Sequence, residues 1–296
     1  MEPAKTSDDS QSGGVTARPS PAPAKIGILA GQGQFPLLIG RAARSAGVEV
    51  VTIAFNGFAS PEVTETSDKV EWVELGQVGR VLELLHAHGI KAVAMAGRIP
   101  HSSIFQYRHF DARALKMLTR AVTRRADSLL GVVTQELEGE GIQVLDSSLY
   151  LKSLMPPPGL ITRNRPLDER EMADVEFAYP IAKVIAGQDI GQTIVVKEQV
   201  VVAVEGLEGT DECIRRAGKL AGPGCVVMKV SKPRQDFRFD IPVIGRGTVE
   251  ALVEAACSAL AVNARECLIF DRDEVVRDAE AANIGIIAVE EPDANR

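Results

Sequence analysis

The sequence predicts an α/β protein of two domains, and three observations predict it. From residue 25 onward, short runs rich in Val and Ile alternate with stretches whose apolar residues recur at helical spacing, the pattern of a parallel sheet wrapped by helices. A chain of 296 residues that is 45% hydrophobic has enough apolar material for more than one core. At 154–159 the stretch "LMPPPG" halts any regular element. The expected organisation is therefore a disordered leader over 1–24, a small Rossmann-like parallel sheet over 25–153, and a mixed α/β domain over 154–290.

The leader is assigned from "MEPAKTSDDSQSGGVTARPSPAPA", which is rich in Ser, Pro, Gly and Ala and lacks the apolar stretch of a signal peptide. "KIGILAG" then predicts a buried strand, "FPLLIGRAARSAG" a helix ending at Gly47, and "VEVVTIAF" a second strand, which completes one β-α-β unit. Further strands are expected at "KVEWVEL", "KAVAMAG" and "IQVLD", with helices through "VGRVLELLHAHG" and between Asp111 and Gly141. His86 and His88 fall at the end of the first of these helices, where solvated capping is expected. The second domain should open with a helix from Asp168 to Gly187, followed by two β-rich runs in "QTIVVKEQVVVAVEG" that pair through a turn near Lys197 to Gln199. Its last stretch, "CLIFDRDEVVRDAEAANIGIIAVE", again reads strand, helix, strand.

Composition excludes several function classes. A net charge of −7 argues against nucleic acid as a partner, although the basic cluster Lys229, Lys232, Arg234 and Arg238 suits a single phosphate. The four cysteines form no C-x-x-C pair and share no ligand spacing with the histidines, which argues against a zinc site; Cys257, in an apolar helix, and Cys267, opening an apolar strand, read as core thiols of a reducing compartment. With no secretion signal or membrane-spanning run, the expected location is the cytoplasm, with any lipid contact made from the surface.

Four segments carry candidate chemistry. "AGQGQFP" places Gly31 and Gly33 between a strand and a helix, where backbone N–H groups suit a phosphate; the dinucleotide motif is incomplete because Pro36 stands at its last glycine, and a plain turn explains the glycines equally well. "AGRIPHSS" puts Arg98 and His101 at the carboxyl end of a strand, where open α/β sheets bind ligands, or else in a solvated loop. In "VEGLEGTDECIRRA", Thr210 is expected to cap a helix, and Glu205, Glu208, Asp211 and Glu212 offer either dipole complementation or hard oxygen ligands. In "MKVSKPRQDFRFDIPVIG", Asp240 stands at the brink of a buried strand beside lysines and an arginine, an arrangement that serves structural pairing or phosphoryl chemistry.

The combination of "AGQGQFP", "DIGQ", "VEGLEGTD" and K-x-x-K-P-x-Q-x-x-R-x-D-x-P-x-I-G over residues 229–245 resembles the UDP-2,3-diacylglucosamine pyrophosphatase family of lipid A synthesis, in its non-metallophosphoesterase form. The resemblance covers 25 to about 290 and is strongest in the second domain. It implies hydrolysis of the pyrophosphate bond to UMP and 2,3-diacylglucosamine 1-phosphate, a magnesium cofactor, a cytoplasmic enzyme meeting its lipid-linked UDP-sugar at the inner membrane, and a homodimer. Carried over by motif, Asp240, Lys229 and Lys232 would be catalytic. Gly31, Gly33, Gln34, Arg98, Thr210, Gln235 and Arg238 would contact substrate, and Asp240, Asp211 and Glu208 would hold the metal. The first domain departs from the family's pattern at Gln32, Pro100 and His101, and Asp127 is a weaker candidate for the same cleft. The acyl chains would occupy an apolar groove, expected between the domains. Two rival functions are a nucleotide-dependent oxidoreductase using the glycine turn and a non-catalytic nucleotide or lipid sensor.

Overall fold

The computed structural model describes residues 23–100, 110–120, 126–238 and 241–291, apart from the side chains of 118, 120 and 126–129. Its first sheet is built from β1 (Lys25–Ala30), β2 (Glu49–Phe55), β3 (Lys69–Val73), β4 (Ala92–Ala96) and β5 (Gln143–Val144), all parallel, in the order β3-β2-β1-β4-β5. β1 and β4 are buried along nearly their whole length, as the near-continuous apolar runs of a sheet covered on both faces require. The helices are α1 (Phe35–Ser45), α2 (Val78–Ala87), α3 (Ala112–Arg120) and α4 (Ala126–Gly139). The order reverses between β1 and β4, which is where an open parallel sheet leaves a crevice at its carboxyl edge. The strand expected over 142–146 is reduced to Gln143 and Val144. His88 does more than cap its helix: its Nε2 lies 2.9 Å from Glu71 Oε1.

The second domain does not open with a helix. A two-residue strand, β6 (Gly159–Leu160), comes first and covers the edge of a six-stranded mixed sheet, where backbone groups would otherwise be unpaired. After it comes α5 (Glu169–Gly187), fixed by a reciprocal capping box in which the Asp168 carboxylate accepts from Glu171 N–H and Glu171 accepts from Asp168 N–H. The rest comprises β7 (Thr193–Lys197), β8 (Val200–Val204), α6 (Thr210–Ala221), β9 (Val226–Lys229), β10 (Val243–Ile244), α7 (Arg246–Glu254), β11 (Ala259–Asn263), β12 (Leu268–Ile269), α8 (Arg272–Ala281) and β13 (Gly285–Val289). β9, β11 and β13 are parallel, and the hairpin β7–β8 adds two antiparallel strands. The hairpin turns at Glu198 and Gln199, both with positive φ, and the buried Asp174 carboxylate accepts both of their N–H groups.

"FDIPVIG" contributes less strand than expected. Only Val243 and Ile244 are extended, and they pair with Leu268 and Ile269 in a separate two-stranded sheet. Cys257 lies in the loop beyond α7 rather than in a helix, and burial pushes its thiol up to about 12. Cys213 and Cys267 are likewise buried, with thiols pushed up to about 12 chiefly by desolvation. The two domains share one apolar cluster. Ile26, Ile28, Leu37 and Ile39 of the first pack in it with Ile241 and Leu268 of the second, and the Phe35 and Phe270 rings meet at 6.0 Å.

Candidate active site

Lys229 ends β9, in register with Thr193 on one side and Val262 on the other, at the carboxyl edge of the parallel strands. Only 7% of it is exposed. Its Nζ donates to Thr210 Oγ1 at 2.6 Å, and among the described residues it makes no ion pair. Thr210 does not cap α6 as expected. Gly209, at φ 84°, takes the cap position, and the threonine becomes the first helical residue with its hydroxyl turned to the sheet. That hydroxyl donates to Glu205 Oε1 at 3.1 Å and lies 3.3 Å from Thr193 Oγ1. The other Glu205 oxygen accepts Gln192 N–H at 3.1 Å. The two loops abut so closely that a Cβ on Gly191 would stand 2.3 Å from the Glu205 carbonyl oxygen, so the position admits only glycine.

The chain leaves β9 through a tethered loop. Ser231 N–H donates to Asn263 Oδ1 at 3.1 Å, and Lys183 Nζ donates to the Ser231 carbonyl at 3.1 Å. Lys232 Nζ pairs with Asp189 Oδ1 at 2.7 Å, while its N–H donates to Gln235 Oε1 at 2.9 Å. Arg238 is held by Asp236 at 2.7 Å and reaches Glu138 of α4 at 3.2 Å, across the domain boundary. The Arg238 guanidinium holds the Asp236 carboxyl below its ordinary value. Thus Lys229, Thr210, Lys232 and Gln235 are gathered around one loop system, whereas the Arg238 guanidinium is directed to two carboxylates.

Glu208 is bonded to Arg216 and to Gly206 N–H, and the Arg216 hydrogen bond lowers its pKa. Asp211 stands in the first turn of α6 against Gly247 of α7. Among the described residues, no three His, Cys, Asp or Glu side chains converge as a metal site. Asp240 and His101 lie outside the described residues, and Asp127 falls in α4 with its side chain outside them. A magnesium ion is commonly held by one or two carboxylates plus substrate phosphates and water. Asp211 fits that donor set; Glu208 fits it only by leaving Arg216.

At the carboxyl edge of the first sheet, the "AGQG" backbone is committed to the fold. Gly31 N–H donates to Ala96 O at 2.8 Å, and Gln32 and Arg98 exchange two backbone hydrogen bonds at 2.9 and 3.0 Å. A Cβ on Gly97, whose φ is +87°, would lie 2.6 Å from the Gln32 carbonyl, so the crossing itself accounts for that glycine. Gly33 and the helix-capping Gln34 are exposed beside it, and so is Arg98. With the Gly31 and Gln32 amides so engaged, the turn gives little support to dinucleotide binding.

Behind the crossing lies an apolar cavity of about 260 Å³, walled by residues that include Leu29, Phe55, Val81, Met95, Met117 and Val133. It sits within the first domain, between the sheet and α2, α3 and α4, rather than between the domains. Sequence reasoning did not place Thr193 or Asp189 in the site and counted Glu205 only among possible oxygen ligands. The motif "DIGQ" carried the signal for Asp189, but a threonine inside a strand carries none. The cavity walls come from six elements distant in sequence.

Residues 25–154 match the family model described as the LpxI N-terminal domain, and residues 157–287 match the LpxI C-terminal domain. The chain belongs to the LpxI family. A relative from Caulobacter vibrioides, the UDP-2,3-diacylglucosamine pyrophosphatase LpxI, is 30% identical over 277 residues, spanning 90% of this chain and 98% of its own. Among solved structures, the biotin carboxylase domain of the Hydrogenobacter thermophilus 2-oxoglutarate carboxylase aligns at TM-score 0.25 and 12% identity, over 60% of this chain and 35% of that one. The N5-carboxyaminoimidazole ribonucleotide synthetase from Thermotoga maritima aligns at 0.23 and 15%, over 62% and 41%. At such scores neither informs the LpxI fold.

Proposed function

We propose that this protein hydrolyses the pyrophosphate bond of UDP-2,3-diacylglucosamine. Water adds to one phosphorus, the bridging P–O bond breaks, and the products are UMP and 2,3-diacylglucosamine 1-phosphate. Family membership supports the reaction, and the observation that carries it to these residues is Lys229. Among the described residues the one hydrogen-bond partner of this buried ammonium is a neutral hydroxyl, a costly arrangement that an anionic ligand relieves. Lys229 is then the group that stabilises charge building on the phosphate oxygens. Thr210 orients it by accepting its N–H, and Glu205 fixes Thr210. Lys232 and Gln235 border the phosphates, and Asp240 follows on the same segment.

The apolar cavity supports the lipid half of the substrate, since it offers hydrocarbon walls at the switch point where an α/β sheet binds ligands. An acyl chain entering there would leave the sugar and pyrophosphate outside. Magnesium, when bound, would neutralise phosphate charge, with Asp211, Asp240 and phosphate oxygens as its ligands. The protein would act as the non-metallophosphoesterase form of the enzyme, as a homodimer in the cytoplasm touching the inner membrane from its surface. Among the described residues no helix is long and apolar enough to cross a membrane.

The test is release of UMP from UDP-2,3-diacylglucosamine by the purified protein, with magnesium and with a chelator in its place. Metal-dependent release of both products supports the proposal. Binding without turnover under any divalent ion would replace it with a sensor.

A further inference from the structure

Three residues beyond β5, Ser147 is 1% exposed and sits where the two domains meet. Its N–H donates to the Phe237 carbonyl at 2.9 Å. Its Oγ lies 2.7 Å from the Arg238 carbonyl and 2.8 Å from that of Met95. Neither carbonyl can donate, so the single hydroxyl proton serves both, and the serine is the shared link between them. Met95 belongs to β4 and walls the apolar cavity, whereas Phe237 and Arg238 lie in the segment that follows Lys229 towards β10 and carries Lys232 and Gln235. That segment is tied at its start within its own domain, through Ser231 to Asn263.

We infer that Ser147 is a positioning residue, which sets the distance between the strand that walls the apolar cavity and the loop that carries the cationic side chains. The inference rests on the reaction proposed above. Burial keeps Ser147 from touching substrate, so it acts through the backbone it ties together, that of Met95 and of 237–238. Removing the hydroxyl leaves the N–H to Phe237 O in place and frees the Arg238 carbonyl, loosening the loop at the end farther from Lys229.

The test compares Ser147→Ala, Ser147→Cys and Ser148→Ala with the wild type. Ser148 is as deeply buried, but among the described residues its hydroxyl bonds Asp146 and no group of the loop. In Ser147→Ala, kcat should fall about tenfold with KM little changed, the loss expected for one buried hydrogen bond. Amide hydrogen exchange should quicken across 235–238 and not elsewhere. Ser147→Cys, with a weak donor, should recover part of the loss, and Ser148→Ala should show none. An unchanged kcat in Ser147→Ala beside an active wild type overturns the inference, as does an equal loss in Ser148→Ala. If the wild type releases no UMP, the proposed reaction fails by itself. Exchange then decides: a selective rise across 235–238 upholds the link, and no rise or a global rise overturns it.

Discussion

The carboxyl edges of the two sheets have the same backbone setting and opposite chemistry. In the second domain that edge gathers Lys229, Thr210, Thr193 and Glu205 into a hydrogen-bonded set; in the first, the corresponding edge closes over hydrocarbon. Parallel strands supply the crevice in both, and what the strand ends and covering helices carry decides the ligand. A substrate with a charged half and an oily half needs both kinds of edge in one chain.

The sharpest way to break this contrast is to remove the charge. Lys229→Met retains volume while deleting the cation, so the protein should stay folded and kcat for UMP release should fall by about 10²–10³-fold. An unchanged kcat would leave the polar edge without its proposed task. Next in size is a variant outside both edges. The Glu171 carboxylate, 1% exposed, takes two hydrogen bonds from Arg165 at 2.6 and 2.7 Å. Glu171→Gln takes the paired charge from that arginine, leaving it backbone carbonyls, and should lower stability by about 3 kcal/mol in denaturant melts while sparing kcat in the folded enzyme.

Burial alone would raise the Glu171 pKa, but the Arg165 guanidinium and Asp168 N–H outweigh it and hold the carboxyl below its ordinary value. Its stabilising effect is therefore complete above the unfolded carboxyl's range, about 4.3, and is lost as pH falls through the lower folded value. Acid unfolding of Glu171→Gln should lack that component.

Filling the cavity probes the apolar edge. Val133→Phe should raise KM about tenfold for a long-chain substrate and leave a short-chain analogue nearly unaffected, a split that removing a polar contact would not produce. The smallest effect is expected at the exposed pair joining the domains, Arg238 to Glu138. Glu138→Gln should cost less than about 1 kcal/mol by thermal melting.

Periodicity made both sheets legible because β1, β2, β4, β9 and β13 are predominantly apolar and bounded by turn residues. The hairpin was legible for the same reason. β6 was not, since two residues establish no period; β10 and β12 were expected from "FDIPVIG" and "CLIF" but are shorter than those runs suggest. In the site, Lys229 stood out as charge beside an apolar run. Thr210 was read through local capping rules, but its hydroxyl answers to Glu205 and Lys229, contacts that only the folded sheet supplies. Ser147 gave no sign at all, because its partners lie 52 and 91 residues away.

The apolar cluster shared by both halves also bears on how the molecule melts. Phe35, Leu37, Ile241, Leu268 and Phe270 belong to one packed body although the chain divides into two sheets. Neither half can bury these side chains by itself. Calorimetry should therefore show one endotherm rather than two, and a chain cut within Pro156–Pro158 should yield fragments that are insoluble apart and recover structure when mixed.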